Sequence, residues 1–191
     1  MALTSFRLLL QVSESGAIMR RYFVVNGFDG ALTLLGLLMG FHISDAPDLQ
    51  MVITSCLATT LALGVSGISS AYISEAAERR SSLAELERAM VSDLKESHHA
   101  RAAFWIPWLV ALTNGSAPFL IGMVIIIPLW LAHNGLSMPV DPLLAAMGTA
   151  LVVIFSLGVF LGRIGGVFWL WSGLQALAIA MATLGLIHLL G

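Results

Sequence analysis

RRYFVVNGFDGALTLLGLLMGF, residues 20–41, opens on an arginine pair, runs apolar for the length of a membrane crossing and carries one carboxylate, Asp29, inside that run. About 20 predominantly apolar residues can cross the hydrocarbon of a bilayer as a helix. A charged Asp at the centre of such a helix costs roughly 2.5–3.5 kcal/mol on insertion scales, so it is expected to face water, a cation or a proton partner. No other Asp, Glu, Lys or Arg falls inside the long apolar runs.

The rest of the chain repeats the pattern. It is 58% hydrophobic and only 10% charged over 191 residues, with a mean hydropathy of +0.92, more apolar than a soluble domain of this size needs for its core. Five spans are expected, at Tyr22–Phe41, Met51–Ile73, Phe104–Ala132, Leu143–Gly162 and Val167–Leu190. The expected fold is therefore an all-α integral membrane protein, one five-helix domain over residues 1–191. The lipid bilayer is its first partner.

Arginine and lysine near short loops are retained on the cytoplasmic side. With five crossings all nine basic residues fall on one face. Arg7, Arg20 and Arg21 precede the first span, Arg79, Arg80, Arg88, Lys95 and Arg101 follow the second, and Arg163 sits before the fifth. A count of four or six spans would break this partition. The N-terminus is thus expected in the cytoplasm and the C-terminus on the opposite side, of a plasma or vacuolar membrane. The segment Leu3–Val12 reads as an interfacial helix, with Phe6, Leu9 and Leu10 in the membrane surface and Arg7 and Glu14 in water. It lacks the small-residue cleavage site of a secretory signal.

A net charge of −2 does not suggest a nucleic-acid partner. The lone Cys56, in an apolar stretch, offers neither a disulfide framework nor a cysteine metal cluster. Residues 74–103 are the one sizeable polar segment, and they read as a cytoplasmic helical extension of the second span. Glu75 with Arg79 is an i, i+4 pair of favourable order, and Glu85 with Arg88 an i, i+3 pair. Two readings compete for this segment. It is a salt-bridged solvated helix, or Glu75, Glu78 and Glu85 share a face that collects divalent cations, with His98 and His99 as further ligands.

Inside the membrane, Gly36 with Gly40 and Gly158 with Gly162 are small-xxx-small pairs that let helices approach closely. The third span carries Pro107, Asn114-Gly115-Ser116, Pro118 and Pro128. A kink there would release carbonyls, which are tolerated at membrane depth only against protein or water. Around Asp29, Asn26 precedes by three positions and Thr33 follows by four, on one helical stripe. Three oxygen-bearing side chains could replace part of a cation's hydration shell, and oxygen ligands favour hard ions such as Mn2+ or Fe2+.

Enzymatic rivals lack residues. An intramembrane aspartyl protease needs a second buried Asp, and a phosphatidyl-alcohol transferase needs several carboxylates around its metals. A serine protease needs a His in reach of a Ser, whereas His42 and His188 stand near span ends. No enzyme activity and no resident cofactor are expected. The alternative to transport is a membrane scaffold or subunit that packs through its glycine faces.

Three stretches carry a family resemblance: Arg21-Tyr-Phe-Val-Val-Asn-Gly-Phe-Asp-Gly-Ala-Leu-Thr33, Gly64-Val-Ser-Gly-Ile-Ser-Ser-Ala-Tyr-Ile-Ser-Glu75 and Asn114-Gly-Ser-Ala-Pro118. In order and spacing the chain resembles the vacuolar iron transporter family, as a divergent member. The resemblance implies a homodimeric five-helix exporter of Fe2+ or Mn2+ that exchanges the metal for protons, with the first helices of both subunits lining the path. It implies that Asp29 is the intramembrane metal ligand. The family's second helix adds a Met and a Glu, but the matching positions here hold Gly67 and Ala71. Loss of the thioether is expected to tilt preference toward hard ions. The implied mechanism is one carboxylate pair serving two ions: a divalent cation binds the ionised pair, and protonation on the far side releases it, since metal affinity falls as ligands protonate. Asn26, Thr33 and carbonyls of the third helix would complete the shell.

Overall fold

A computed structural model describes residues 15–44, 48–90 and 98–190. Among them the chain forms five α-helices: α1 Ser15–Ile43, α2 Leu49–Met90, α3 His98–His133, α4 Pro142–Ile164 and α5 Trp169–Leu190. Each is long and apolar enough to cross a membrane; the first four each contain one expected span, and the fifth starts at Trp169, two residues after the expected Val167. The architecture is that of a multi-pass, all-helical membrane protein. The interfacial helix expected at Leu3–Val12 lies outside the described residues, as do residues 91–97 of the polar segment.

At 1.5 Å per residue the 42 residues of α2 extend for about 63 Å, twice the hydrocarbon thickness. Its polar half therefore continues the second span as one helix, as the Glu75 and Arg79 spacing implied. α3 is continuous across Pro107, Pro118 and Pro128, and two of these, Pro107 and Pro118, are buried. Each proline deletes one backbone donor, yet the helix is not interrupted. α4 starts where Asp141 accepts hydrogen bonds from the amides of Leu143 (2.8 Å) and Leu144 (3.3 Å), with Pro142 opening the helix. This cap satisfies amides that have no intrahelical partner. The tight connection to α5 turns at Gly166, whose φ of +68° is a left-handed conformation that glycine adopts without a Cβ clash.

Packing groups the chain into two compact units. One falls within Met1–Phe23 and Gly64–Ser116, the other within Val24–Leu63 and Ala117–Gly191. In the first, Ala71 of α2 and Ile106, Val110 and Ala111 of α3 form a buried cluster, against which Ile18, Met19 and Tyr22 of α1 pack. Tyr72 and Trp108 add a tilted ring pair with centroids 4.5 Å apart. In the second unit, Leu34, Leu35 and Leu38 meet Val52, Cys56, Ile125, Leu129, Ala150 and Ile154 in a core without solvent access.

Much apolar surface remains outside these cores. Only 22% of the apolar window of α5 is buried within the chain, and Trp171, Leu186, Leu189 and Leu190 are exposed. A patch of that size cannot face water in a soluble monomer. Hydrocarbon is the solvent that suits it.

Candidate functional site

Asp29 owes its position to the glycines beside it. Gly27 and Gly30, three apart, form the face of α1 that packs on the rest of the second unit. A Cβ at Gly30 would lie 2.9 Å from Cα of Pro118, and one at Gly27 would lie 2.5 Å from Cδ1 of Ile121. Only glycine permits so close a contact. With that face committed to packing, Asp29 falls on the exposed side of α1.

There Asp29 lines a cavity of about 350 Å3. Val25, Phe28, Leu157, Leu161 and Ile179 provide apolar wall, and two further polar side chains, Ser172 and Gln175 of α5, share the lining. The α4–α5 crossing seats them. A Cβ at Gly158 would lie 2.8 Å from the Ser172 carbonyl and 3.0 Å from Cα of Gly173, and one at Gly162 would lie 3.1 Å from Cα of Trp169. The Gly158 and Gly162 pair thus does what its spacing implied. Ser172 and Gln175, three apart, share one face of α5.

The other candidate residues are placed differently. The Thr33 hydroxyl donates to the backbone carbonyl of Asp29 at 2.7 Å, a local bond within α1. Asn26 is half-buried and hydrogen-bonded. Neither is among the residues that line the cavity. Gly36 meets only Cδ1 of Ile187, at 3.3 Å, and a Cβ at Gly40 would meet nothing within 4 Å. That first glycine pair therefore makes no close helix crossing among the described residues.

On the polar half of α2, Glu75 is buried and its carboxylate accepts a 2.8 Å bond from Nε of Arg79. Glu75 and Glu78 border a polar notch of about 180 Å3, together with Arg21, Tyr22, Arg79 and Ser82. Glu85 is exposed and does not reach it. Among the described residues no group of three or more His, Cys, Asp or Glu side chains could hold a metal ion.

Gly67 and Ala71 of α2 are taken up by packing. Nδ2 of Asn114 donates to the Gly67 carbonyl at 2.8 Å, and a Cβ at Gly67 would lie 3.2 Å from Cα of Gly115. Ala71, at 4% exposure, belongs to the apolar cluster of the first unit.

Gln175 escaped notice in the sequence because it carries no charge. Its signal was nevertheless present, since it is the one carboxamide within α5. No family model matches the chain. A comparison with curated proteins finds an uncharacterized protein of Methanocaldococcus jannaschii, 27% identical over 172 residues, a match that covers 88% of this chain and 85% of the relative. No solved structure matches.

Proposed function

We propose that the chain is one subunit of a homodimeric exporter that moves Mn2+ or Fe2+ out of the cytosol in exchange for protons, on the plan of the vacuolar iron transporters. The observation that carries this reading is Asp29: a lone carboxylate within an apolar helix, exposed on its own chain and bordering a cavity with two further oxygen-bearing side chains. A carboxylate facing lipid is costly, so it needs water, a cation or a second protein surface over it. A second copy supplies that cover, and with it a second Asp29. Two carboxylates balance the charge of one divalent ion. Protonation from the far side then neutralises the pair and frees the ion.

In this reading the basic residues set the N-terminus in the cytoplasm. Trp105 and Trp108 near Arg101, and Trp169 near Arg163, anchor the same face at the headgroups, and Arg163 lies 5.9 Å from the Trp169 ring. Asn26 and Thr33 remain candidate ligands on α1. Glu75, Glu78 and Glu85 remain a candidate cytoplasmic collecting surface, with Glu75 already held by Arg79.

The alternative, a scaffold or subunit without transport, is favoured by one observation. The second-helix positions where the transporters carry Met and Glu are closed by Asn114, Gly115 and the apolar cluster. Uptake of Mn2+ and Fe2+ into proteoliposomes under an imposed pH gradient separates the readings. Transport predicts metal flux with proton counterflow in the native protein and none in Asp29→Asn. Equal flux in both, or metal flux without proton movement, would sink it.

A further inference from the structure

A hard divalent cation prefers close to six oxygens, and one carboxylate supplies at most two. Neither Gly67 nor Ala71 has a ligating side chain. The surfaces of α2 around them are closed by the Asn114 bond and by the apolar cluster, so the second helix offers no replacement there. The polar side chains that line the Asp29 cavity with it are Ser172 and Gln175. Their place is set by backbone contact rather than by chance exposure, because Gly158 and Gly162 press α4 onto Ser172, Gly173 and Trp169.

Resting on the transport reading, we propose that Gln175 and Ser172 are cargo ligands: the carboxamide oxygen and the hydroxyl of α5 coordinate the metal beside Asp29 and set which ion is carried. A cavity of about 350 Å3 has room for several waters at about 30 Å3 each, so the ion keeps part of its hydration shell. Carboxamide and hydroxyl oxygens are hard and neutral. They select Mn2+ or Fe2+ over thiophilic ions and add no charge to the pair of aspartates. The Gln175 carboxamide carries no charge, so its contribution is to affinity.

The ligand assignment is testable. Mn2+ uptake into proteoliposomes is measured against Mn2+ concentration and internal pH for the native chain, Asp29→Asn, Ser172→Ala, Gln175→Leu and Gln175→Glu. The expected result for Gln175→Leu is a half-saturating Mn2+ concentration raised about tenfold with an unmoved pH midpoint. Ser172→Ala shows a smaller rise. Gln175→Glu, which adds a second titrating ligand, binds Mn2+ more tightly at alkaline pH and displaces the pH profile. If both Gln175 variants match the native protein while Asp29→Asn abolishes flux, the ligand assignment fails and the transport reading stands. If Leu and Glu at 175 impair uptake equally, with an unmoved pH profile, Gln175 is a packing residue and the assignment fails. A native chain that carries no Mn2+ and no Fe2+ overturns both.

Discussion

Nδ2 of Asn114 donates a 2.8 Å hydrogen bond to the carbonyl oxygen of Gly67, which ties α3 to α2 at that residue. A backbone carbonyl bonded by a buried side chain is a fixed crossing point, and Gly115 brings the backbones together at the same place. A long side chain at 67 and this contact exclude each other.

A methionine placed at 67 should therefore damage the fold. Gly67→Met forces a side chain toward Cα of Gly115, 3.2 Å from the first added carbon, and overpacking of this kind costs about 1–3 kcal/mol. A lower melting temperature in detergent is the expected outcome. A variant as stable as the native chain would show that the crossing can open.

The glycines of α1 divide into two kinds. Gly30 faces Pro118, whose Cα would sit 2.9 Å from an added Cβ, while Gly40 has open space around it. Gly30→Ala should destabilise by about 1–3 kcal/mol through overpacking. Gly40→Ala should stabilise by about 0.5–1 kcal/mol, through the helix propensity of alanine. Melting curves of the two variants check the sign of each effect.

These contrasts mark what the sequence could say. All five spans were legible, because hydrocarbon leaves the backbone no partner but its own helix and demands long apolar runs. The continuation of α2 past its apolar run was legible in the spacing of Glu75 and Arg79. A small-xxx-small pair states only that a helix can be approached: Gly158 and Gly162 found α5, whereas Gly36 and Gly40 found almost nothing. Gln175 stayed hidden because a carboxamide lacks the charge that made Asp29 conspicuous. The closure at Gly67 was hidden because its partner, Asn114, comes from another helix.

The Glu75–Arg79 pair tests whether the acidic face of α2 is structural. The Glu75 side chain is 7% exposed and that of Arg79 23%, so removing the carboxylate strands a guanidinium that water reaches only in part. Glu75→Ala is expected to cost about 1–3 kcal/mol even in the presence of a chelator. Glu78→Ala, at an exposed position, should stay within about 0.5 kcal/mol. Should Glu75→Ala be neutral under chelation and lose only an Mn2+-dependent rise in melting temperature, the residue belongs to a metal-collecting surface instead.

A second copy covering Asp29 is detectable by cross-linking. Neighbouring valines on α1 differ in exposure: both border the Asp29 cavity, but Val24 is 4% exposed and Val25 is 51% exposed. If two first helices face each other along the path, Val25→Cys in a Cys56→Ala background should form a disulfide-linked dimer in membranes under mild oxidation. Val24→Cys, buried in its own chain, should not. Addition of Mn2+ should change the rate of linking at 25, because the ion draws the two carboxylates together. Equal linking at 24 and 25 would report random collision, and its absence at both would place the interface on another helix, leaving Asp29 to be covered by a different surface.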